Sequence, residues 1–213
     1  MTKKQIVLEI QKIFDIVYKD AKCSLDFGTP HQLLVAVQLS AQCTDARVNL
    51  VTPALFEKYK TVEDFANADE QELCQIIRPC GFYRTKGKNI IASSKRILSD
   101  FSGNLPQTME ELLTLEGVGR KTANLILGDV YDKPSLVIDT HAIRLTNRIG
   151  LVNDKDPVKI EFALRKIVPQ SYQTRFCHQL VYHGRAICNA HRPLCSQCPI
   201  GELCKKKNVK KSV

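Results

Sequence analysis

The residues best suited to chemistry lie in one short segment, L-E-G-V-G-R-K-T-A at positions 115–123. Its two glycines, Gly117 and Gly119, predict a tight turn between two helices, where bare backbone can approach a partner closely. The second helix is predicted to begin at about Arg120, so its unpaired N–H groups and the positive end of its dipole face the same place. The segment therefore predicts an anion site, and a DNA phosphate is the natural anion for a basic chain.

Lys121 lies in the first turn of that helix, and a segment further along the chain, V-I-D-T-H at 137–141, supplies Asp139. The positive helix end disfavours an ammonium group, so we expect the lysine to be available as the nucleophilic amine. A lysine amine with a carboxylate is suited to attack on a sugar carbon and to Schiff-base chemistry. Asp139 also has a purely structural interpretation, because an aspartate directly before T-H-A-I-R-L is a good helix N-cap.

The pattern L-x-G-V-G-x-K-T-A followed by V-I-D-T-H resembles the endonuclease III family of helix-hairpin-helix DNA glycosylases, and the resemblance extends over nearly the entire chain. It implies a base-excision-repair enzyme, both glycosylase and abasic-site lyase, that acts on double-stranded DNA carrying oxidised pyrimidines or abasic sites. By this resemblance Lys121 attacks C1′ and displaces the base, its Schiff base drives β-elimination, and Asp139 stabilises the positive charge on the sugar. The hairpin residues implied to contact DNA are Gly117, Val118, Gly119 and Arg120.

The composition of the chain is that of an ordinary globular protein with a basic bias. Its 213 residues are 44% hydrophobic and 25% charged, with a net charge of +9. The charge favours a polyanionic partner such as nucleic acid, although a merely basic surface is the alternative. No apolar run approaches the roughly 20 residues of a membrane span, and the N-terminus does not resemble a signal peptide. We therefore expect no membrane binding, and the resemblance implies a bacterial-type protein that works as a monomer in the cytoplasm, on the nucleoid.

Nine cysteines are unevenly distributed along the chain. Four of them form the pattern Cys188-x6-Cys195-x2-Cys198-x5-Cys204, which offers four thiolates to one centre. Thiolates select zinc or iron–sulfur, and the spacing alone leaves both open. The resemblance implies one [4Fe–4S] cluster with a structural role. Basic residues surround these cysteines, and we expect the folded loop to present them to the DNA backbone: Arg185, Arg192, Lys205, Lys206 and Lys207. The remaining cysteines, which we expect to be small buried apolar residues, are Cys23, Cys43, Cys74, Cys80 and Cys177.

Two further segments are suited to opening a duplex, which an enzyme must do to reach a base. By the resemblance, Gln42 in L-S-A-Q-C-T-D enters the space that the base vacates; taken alone, it is an ordinary loop amide. Phe82 in P-C-G-F-Y-R-T-K stands where family members commonly place a leucine wedge beside the opposite base. Two neighbouring aromatic residues are also typical of a hydrophobic core, so the sequence leaves wedge and core open for Phe82.

Helical periodicity and caps occur throughout, and two-residue alternation is absent, so we predict an all-α protein. Predicted helix starts include Thr29-Pro30, Thr52-Pro53 and Asp156-Pro157. The resemblance implies a two-lobed fold. A six-helix barrel domain would span 22–133 and contain the hairpin at about 108–128. A helical cluster domain would combine 1–21 with 134–213, including the cluster loop 188–204.

Three other functions compete with this interpretation. A monofunctional adenine- or thymine-mismatch glycosylase is disfavoured, because those relatives lack a lysine at the place of Lys121. A non-catalytic DNA-binding module is compatible with the hairpin alone. An electron-transfer iron–sulfur protein is disfavoured by the single cysteine cluster and by the hairpin.

Overall fold

A computed structural model describes residues 1–213 and contains helices but no strand, which confirms the all-α prediction. None of its helices is long and apolar enough to cross a membrane. The α-helices are α1 Lys3–Val17, α2 Pro30–Ser40, α3 Asp45–Lys58, α4 Val62–Ala66, α5 Glu70–Ile77, α6 Tyr83–Phe101, α7 Met109–Leu112, α8 Arg120–Asp129, α9 Thr140–Ile149, α10 Pro157–Arg165 and α11 Gln173–Ala186. Three short 3₁₀ turns cover Arg78–Cys80, Gln170–Tyr172 and Cys195–Gln197.

Most helices begin at a polar side chain that caps the first turn. Thr29 accepts from the amide of Gln32 ahead of Pro30, and Asp156 accepts from the amides of Val158 and Lys159. Such a side chain satisfies N–H groups that have no partner within the helix. Both starts agree with the sequence prediction.

The predicted helix start at Thr52-Pro53 is wrong, because α3 already begins at Asp45 and runs through Pro53. Thr44 caps α3 by accepting from the amide of Arg47 at 3.2 Å. Proline inside a helix removes one intrahelical hydrogen bond and crowds the preceding turn. Pro53 lies on the exposed side of α3, and a helix carbonyl without a donor costs least where water can reach it.

The chain divides into two compact units, of which one is continuous and spans Cys23–Tyr131. It contains α2 to α8, and its core is lined by aliphatic residues and two aromatic rings, Tyr59 and Phe65. Residues 33–39 lie within α2 and are all buried. Helix α6 contacts α4 and α5 along much of its length.

The other unit joins both ends of the chain, Met1–Lys22 with Asp132–Val213. Its core includes Ile10 and Phe14 from α1 together with Tyr172 and Phe176 near α11. The Tyr18 hydroxyl lies 2.8 Å from Nδ1 of His183, so the N-terminal segment is tied to α11 by a polar contact as well as by apolar packing.

Cysteines outside the clustered four differ in burial. Cys74, Cys80 and Cys177 are buried, as predicted, whereas Cys23 and Cys43 are half-buried at the edge of the core.

Candidate functional site

The shape of the hairpin turn, residues 116–121, requires glycine at position 117 but not at position 119. Gly117 has φ +75°, and a Cβ there would lie 2.8 to 3.1 Å from side-chain atoms of Asn89. A larger residue would therefore suffer both backbone strain and a clash. Gly119 has φ −99° and open space where its Cβ would be. Its backbone faces solvent, so a partner can approach it.

Two side chains from other helices hold the start of this turn. Gln38 in α2, only 5% exposed, donates from Nε2 to the Glu116 carbonyl at 2.8 Å. Arg96 in α6 donates to Oε1 of Glu116 at 2.8 Å. Sequence reasoning did not identify either residue. Its one available signal was the polar Gln38 inside an otherwise apolar run.

Lys121 lies in the first turn of α8, as predicted, and its side chain is exposed. No hydrogen bond or ion pair within the protein engages its amine. Gly119, the N-cap residue, has no side chain to satisfy the N–H groups of this turn. The buried residues Ala123, Ile126 and Leu127 anchor the opposite side of α8 in the core. The helix therefore presents an unpaired amine and uncapped amides from a rigid base.

Asp139 is the N-cap of α9, so its predicted structural role is confirmed. Its Oδ1 accepts from the amide of Ala142 at 2.7 Å, and the residue is half-buried. The cap engages one of the two carboxylate oxygens, which leaves the second able to face a substrate. Capping and catalysis are thus compatible at this position.

Gln42 and Phe82 share an unusual backbone conformation. Their φ angles are 54° and 47°, in the left-handed region that residues other than glycine rarely occupy. Both side chains are exposed, and Phe82 is 65% exposed. The core interpretation of Phe82 is therefore wrong. Two strained turns that present side chains to solvent are typical of functional sites.

The four clustered cysteines line a single cavity together with apolar residues such as Ile149, Leu194 and Ile200. Two arginines of α9 hold the start of the cysteine loop, 188–204. Arg144 donates to the carbonyls of Cys188 and Gly184, and the buried Arg148 donates to those of Asn189 and Ala190 at 2.7 Å. Because Asp139 is the N-cap of α9, this helix has the carboxylate at its start and the two arginines that support the loop further along.

Polar N–H and ring groups surround the sulfur atoms. Arg148 Nη1 lies 3.4 Å from Sγ of Cys188, the Lys206 amide lies 3.3 Å from Sγ of Cys204, and His183 Nε2 lies 3.6 Å from Sγ of Cys198. Burial raises the pKa of Cys198 and Cys204, and the neighbouring cysteines raise it further. Iron–sulfur and metal centres are cationic groups held by cysteine sulfurs that accept hydrogen bonds from nearby N–H groups. Four neighbouring cysteines with such donors fit a centre of this kind. The structure shows no group of three or more His, Cys, Asp or Glu side chains arranged to hold a metal ion.

The basic residues predicted to face DNA are all exposed: Arg185, Arg192, Lys205, Lys206 and Lys207. Arg120 is half-buried at the start of α8. The backbone of the lysine segment, 205–207, is held in place, because the amides of Lys205 and Lys207 donate to the carbonyls of Ile149 and Arg148. This part of the surface therefore has a defined backbone and a strong positive charge.

Comparison with known proteins agrees with these features. A model of the HhH-GPD superfamily of base excision DNA repair proteins matches residues 35–170. Endonuclease III from Synechocystis sp. is 48% identical over 204 residues, which cover 95% of this chain and 93% of that protein. A non-covalent endonuclease III–DNA complex has a TM-score of 0.90 at 39% identity and covers 97% of this chain and 96% of the other. A trapped endonuclease III–DNA covalent intermediate has a TM-score of 0.89 at 39% identity, with 97% of each chain covered.

The helical fold and its glycine hairpin thus define a helix-hairpin-helix protein of base-excision DNA repair. Within that class, the chain belongs to the endonuclease III family. It is accordingly an enzyme, a DNA glycosylase and abasic-site lyase.

Proposed function

We propose that Lys121 is the nucleophile with which this chain removes oxidised pyrimidines from duplex DNA. The observation that carries the proposal is its exposed amine, which has no partner within the protein and lies beside uncapped amides at the start of α8. The amine attacks C1′ of the damaged nucleotide, the bond from C1′ to the base breaks, and the departing base takes up a proton. The bound amine gives up one proton, the C1′–O4′ bond of the sugar ring breaks with O4′ taking up a proton, and the nitrogen, which keeps its last proton, forms a protonated Schiff base (an iminium) between Lys121 and the opened sugar.

The same intermediate leads to strand cleavage. The iminium makes the C2′ protons acidic, so one is removed, and the C3′–O bond breaks with the 3′ phosphate as leaving group. Asp139 stabilises the positive charge that develops on the sugar and assists proton transfer, using the oxygen that the helix cap leaves available.

Damaged or abasic double-stranded DNA is the partner that this surface suits. The hairpin residues Gly117, Val118, Gly119 and Arg120 hold the backbone through amides and charge, and Arg185 adds to this grip. Gln42 fills the space that the extruded nucleotide leaves. Phe82 enters the stack as an apolar wedge, and its ring can also stack on a base.

Cys188, Cys195, Cys198 and Cys204 would hold one [4Fe–4S] cluster, whose chemistry here is to cross-link the loop and not to act on DNA. Support comes from the shared cavity, the donors around the sulfur atoms and the family of the chain. In the corresponding domain assignment, 22–133 is the six-helix barrel and 1–21 with 134–213 is the cluster domain. We place this activity in the bacterial cytoplasm on nucleoid DNA, carried out by a monomer.

Borohydride trapping across a panel of damaged oligonucleotides tests the reaction. Reduction of the Schiff base should yield a covalent protein–DNA adduct on oxidised pyrimidines and on abasic sites, together with strand cleavage in the absence of borohydride. Base release without adduct or cleavage would instead identify a monofunctional glycosylase, and DNA binding without either would identify a binding module.

Metal analysis tests the cluster separately. Protein purified anaerobically should be yellow-brown and contain about four iron atoms per chain. Cys198→Ser should lower solubility and DNA affinity more than it alters the chemistry at Lys121. Stoichiometric zinc without visible absorbance, in protein produced with ample iron, would falsify the cluster assignment.

A further inference from the structure

Lys86 in α6 is a buried lysine that the reaction described above does not use. It is only 6% exposed, and its Nζ donates to the carbonyl of Leu39 and to that of Cys80, both at 2.8 Å. It forms no ion pair, and the ionisable groups that influence it are the thiols of Cys43 and Cys80. Burial lowers the pKa of Lys86.

Burying a lysine without a carboxylate partner costs folding free energy, because the ammonium loses its water. The two hydrogen bonds to backbone carbonyls offset part of that cost. The carbonyls that it joins belong to different parts of the chain, the end of α2 and the 3₁₀ turn before α6. They lie at the bases of two turns: the Gln42 turn, residues 40–44, and the Phe82 turn, residues 80–83. No side-chain hydrogen bond caps the start of α6 at Phe82.

Both turns hold a residue other than glycine in the left-handed region, at Gln42 and at Phe82. Such a conformation persists only where the surroundings fix it. One ammonium group donates to Leu39, in the last turn of α2 just before the Gln42 turn, and to Cys80, which begins the Phe82 turn, so it ties together the segments from which both turns start. An apolar side chain of the same length would fill the space but would hold neither carbonyl.

We propose that Lys86 is a positioning residue, which joins the Gln42 turn and the Phe82 turn into one element that opens the duplex. The two exposed side chains then enter the DNA with a fixed spacing, one into the vacated position and one beside the opposite base. This inference rests on the proposed roles of Gln42 and Phe82. Lys86 itself touches neither substrate nor reacting atoms.

The test compares a substrate that must be opened with one that need not be. For each variant, the rate of base removal from a duplex is divided by the rate of β-elimination at an abasic site in single-stranded DNA. Lys86→Met should lower this ratio about tenfold or more, because unstacking is required only in the duplex. Lys95→Met, the same change at an exposed lysine of α6, is the matched control and should leave the ratio unchanged.

A double variant separates positioning from general support of the fold. If Lys86 acts through the Phe82 turn, Lys86→Met combined with Phe82→Ala should lower the ratio by no more than about twofold beyond Phe82→Ala alone. Additive losses would overturn the proposal. So would equal losses on both substrates together with a lower melting temperature, which is what a merely structural lysine predicts. Lys86→Arg, which keeps a cation with several donors, should recover most of the lost ratio.

Failure of the inference is distinguishable from failure of the proposed function. A normal ratio for Lys86→Met beside a lowered ratio for Phe82→Ala overturns only the role of Lys86. A normal ratio for Phe82→Ala overturns the wedge itself, whatever Lys86 does. If Lys86→Met does not fold, Lys86→Gln replaces it, because the glutamine amide can donate to one carbonyl without carrying a charge. The same ratio of rates, measured on Lys86→Gln, then tests the role of Lys86.

Discussion

The hairpin turn of one compact unit and the cysteine loop of the other are both irregular segments, but they are stabilised in different ways. In the hairpin, the backbone itself provides the shape, through the positive φ of Gly117 and the short step to α8. In the cysteine loop, regular structure is limited to the 3₁₀ turn Cys195–Gln197, and the arginines of α9 bind its carbonyls. The hairpin thus depends mainly on its own backbone, with Gln38 and Arg96 holding only its start at Glu116, whereas the cysteine loop depends on side chains that are distant along the chain.

This difference predicts where each segment is sensitive to substitution. A backbone device fails when a residue of the turn cannot adopt the required φ angle or clashes with a neighbour. A loop that is held from outside fails when its support is removed, even if the loop itself is intact. Substitutions in the two regions should therefore separate chemistry, stability and cluster content.

The largest effect should come from Lys121→Gln, which tests whether the hairpin grips DNA independently of its amine. The rates of borohydride trapping and strand cleavage should fall about 10³-fold or more, because only the amine can form a Schiff base. Affinity for abasic duplex should remain close to that of the parent protein, since backbone amides hold the phosphates. Binding assays beside trapping assays measure both. Residual trapping at the parent level would show that another nucleophile acts.

Asp139→Asn should give the second-largest effect, and it separates the capping role of this residue from its catalytic role. Asparagine caps a helix nearly as well as aspartate, so the melting temperature should not change. The glycosylase rate should fall by about 10²- to 10⁴-fold if the carboxylate stabilises charge and moves a proton. Single-turnover kinetics and thermal melting, measured on the same preparation, distinguish a catalytic role of Asp139 from a purely capping one. An unchanged rate would leave capping as the whole role of Asp139.

Arg148→Met tests whether the cysteine loop depends on support from outside. The carbonyls of Asn189 and Ala190 would lose their donor, at a cost of about 0.5–1.5 kcal/mol for each hydrogen bond lost. We expect a lower melting temperature and less iron per chain, measured by calorimetry and metal analysis. Arg175→Met is the control, because its ion pair with Asp15 is exposed and contributes at most about 1 kcal/mol. Full iron content in Arg148→Met would contradict the comparison.

The smallest effect should distinguish the two glycines of the hairpin. Gly117→Ala should cost about 1–2 kcal/mol through its left-handed φ, and the contact with Asn89 should add to this. Gly119→Ala should change stability by less than about 0.5 kcal/mol, since nothing opposes a Cβ there. It should still weaken binding to abasic duplex, because the new methyl group faces the phosphate. Equal melting temperatures for the two variants would refute this distinction.

Much of the fold follows from local patterns that the sequence displays directly. The caps at Thr29 and Asp156 mark helix starts, and the glycine pair marks the hairpin, because each device acts within three or four residues. The failed prediction at Pro53 shows the limit of such signals. Proline often opens a helix, but here the cap at Thr44 lies earlier, and Pro53 lies on the exposed side of α3.

The sequence by itself determined the helical class, the hairpin at Gly117 and Gly119, and which residues carry reactive groups, because these depend on residue type and short spacing. The tertiary structure decided that Phe82 is exposed, that Arg148 supports the cysteine loop, and that Lys86 joins two turns. Lys86 and Leu39 are 47 residues apart along the chain, so no local pattern records their contact. Contacts of that kind arise from packing of the whole helical unit, and packing is what the sequence alone does not display.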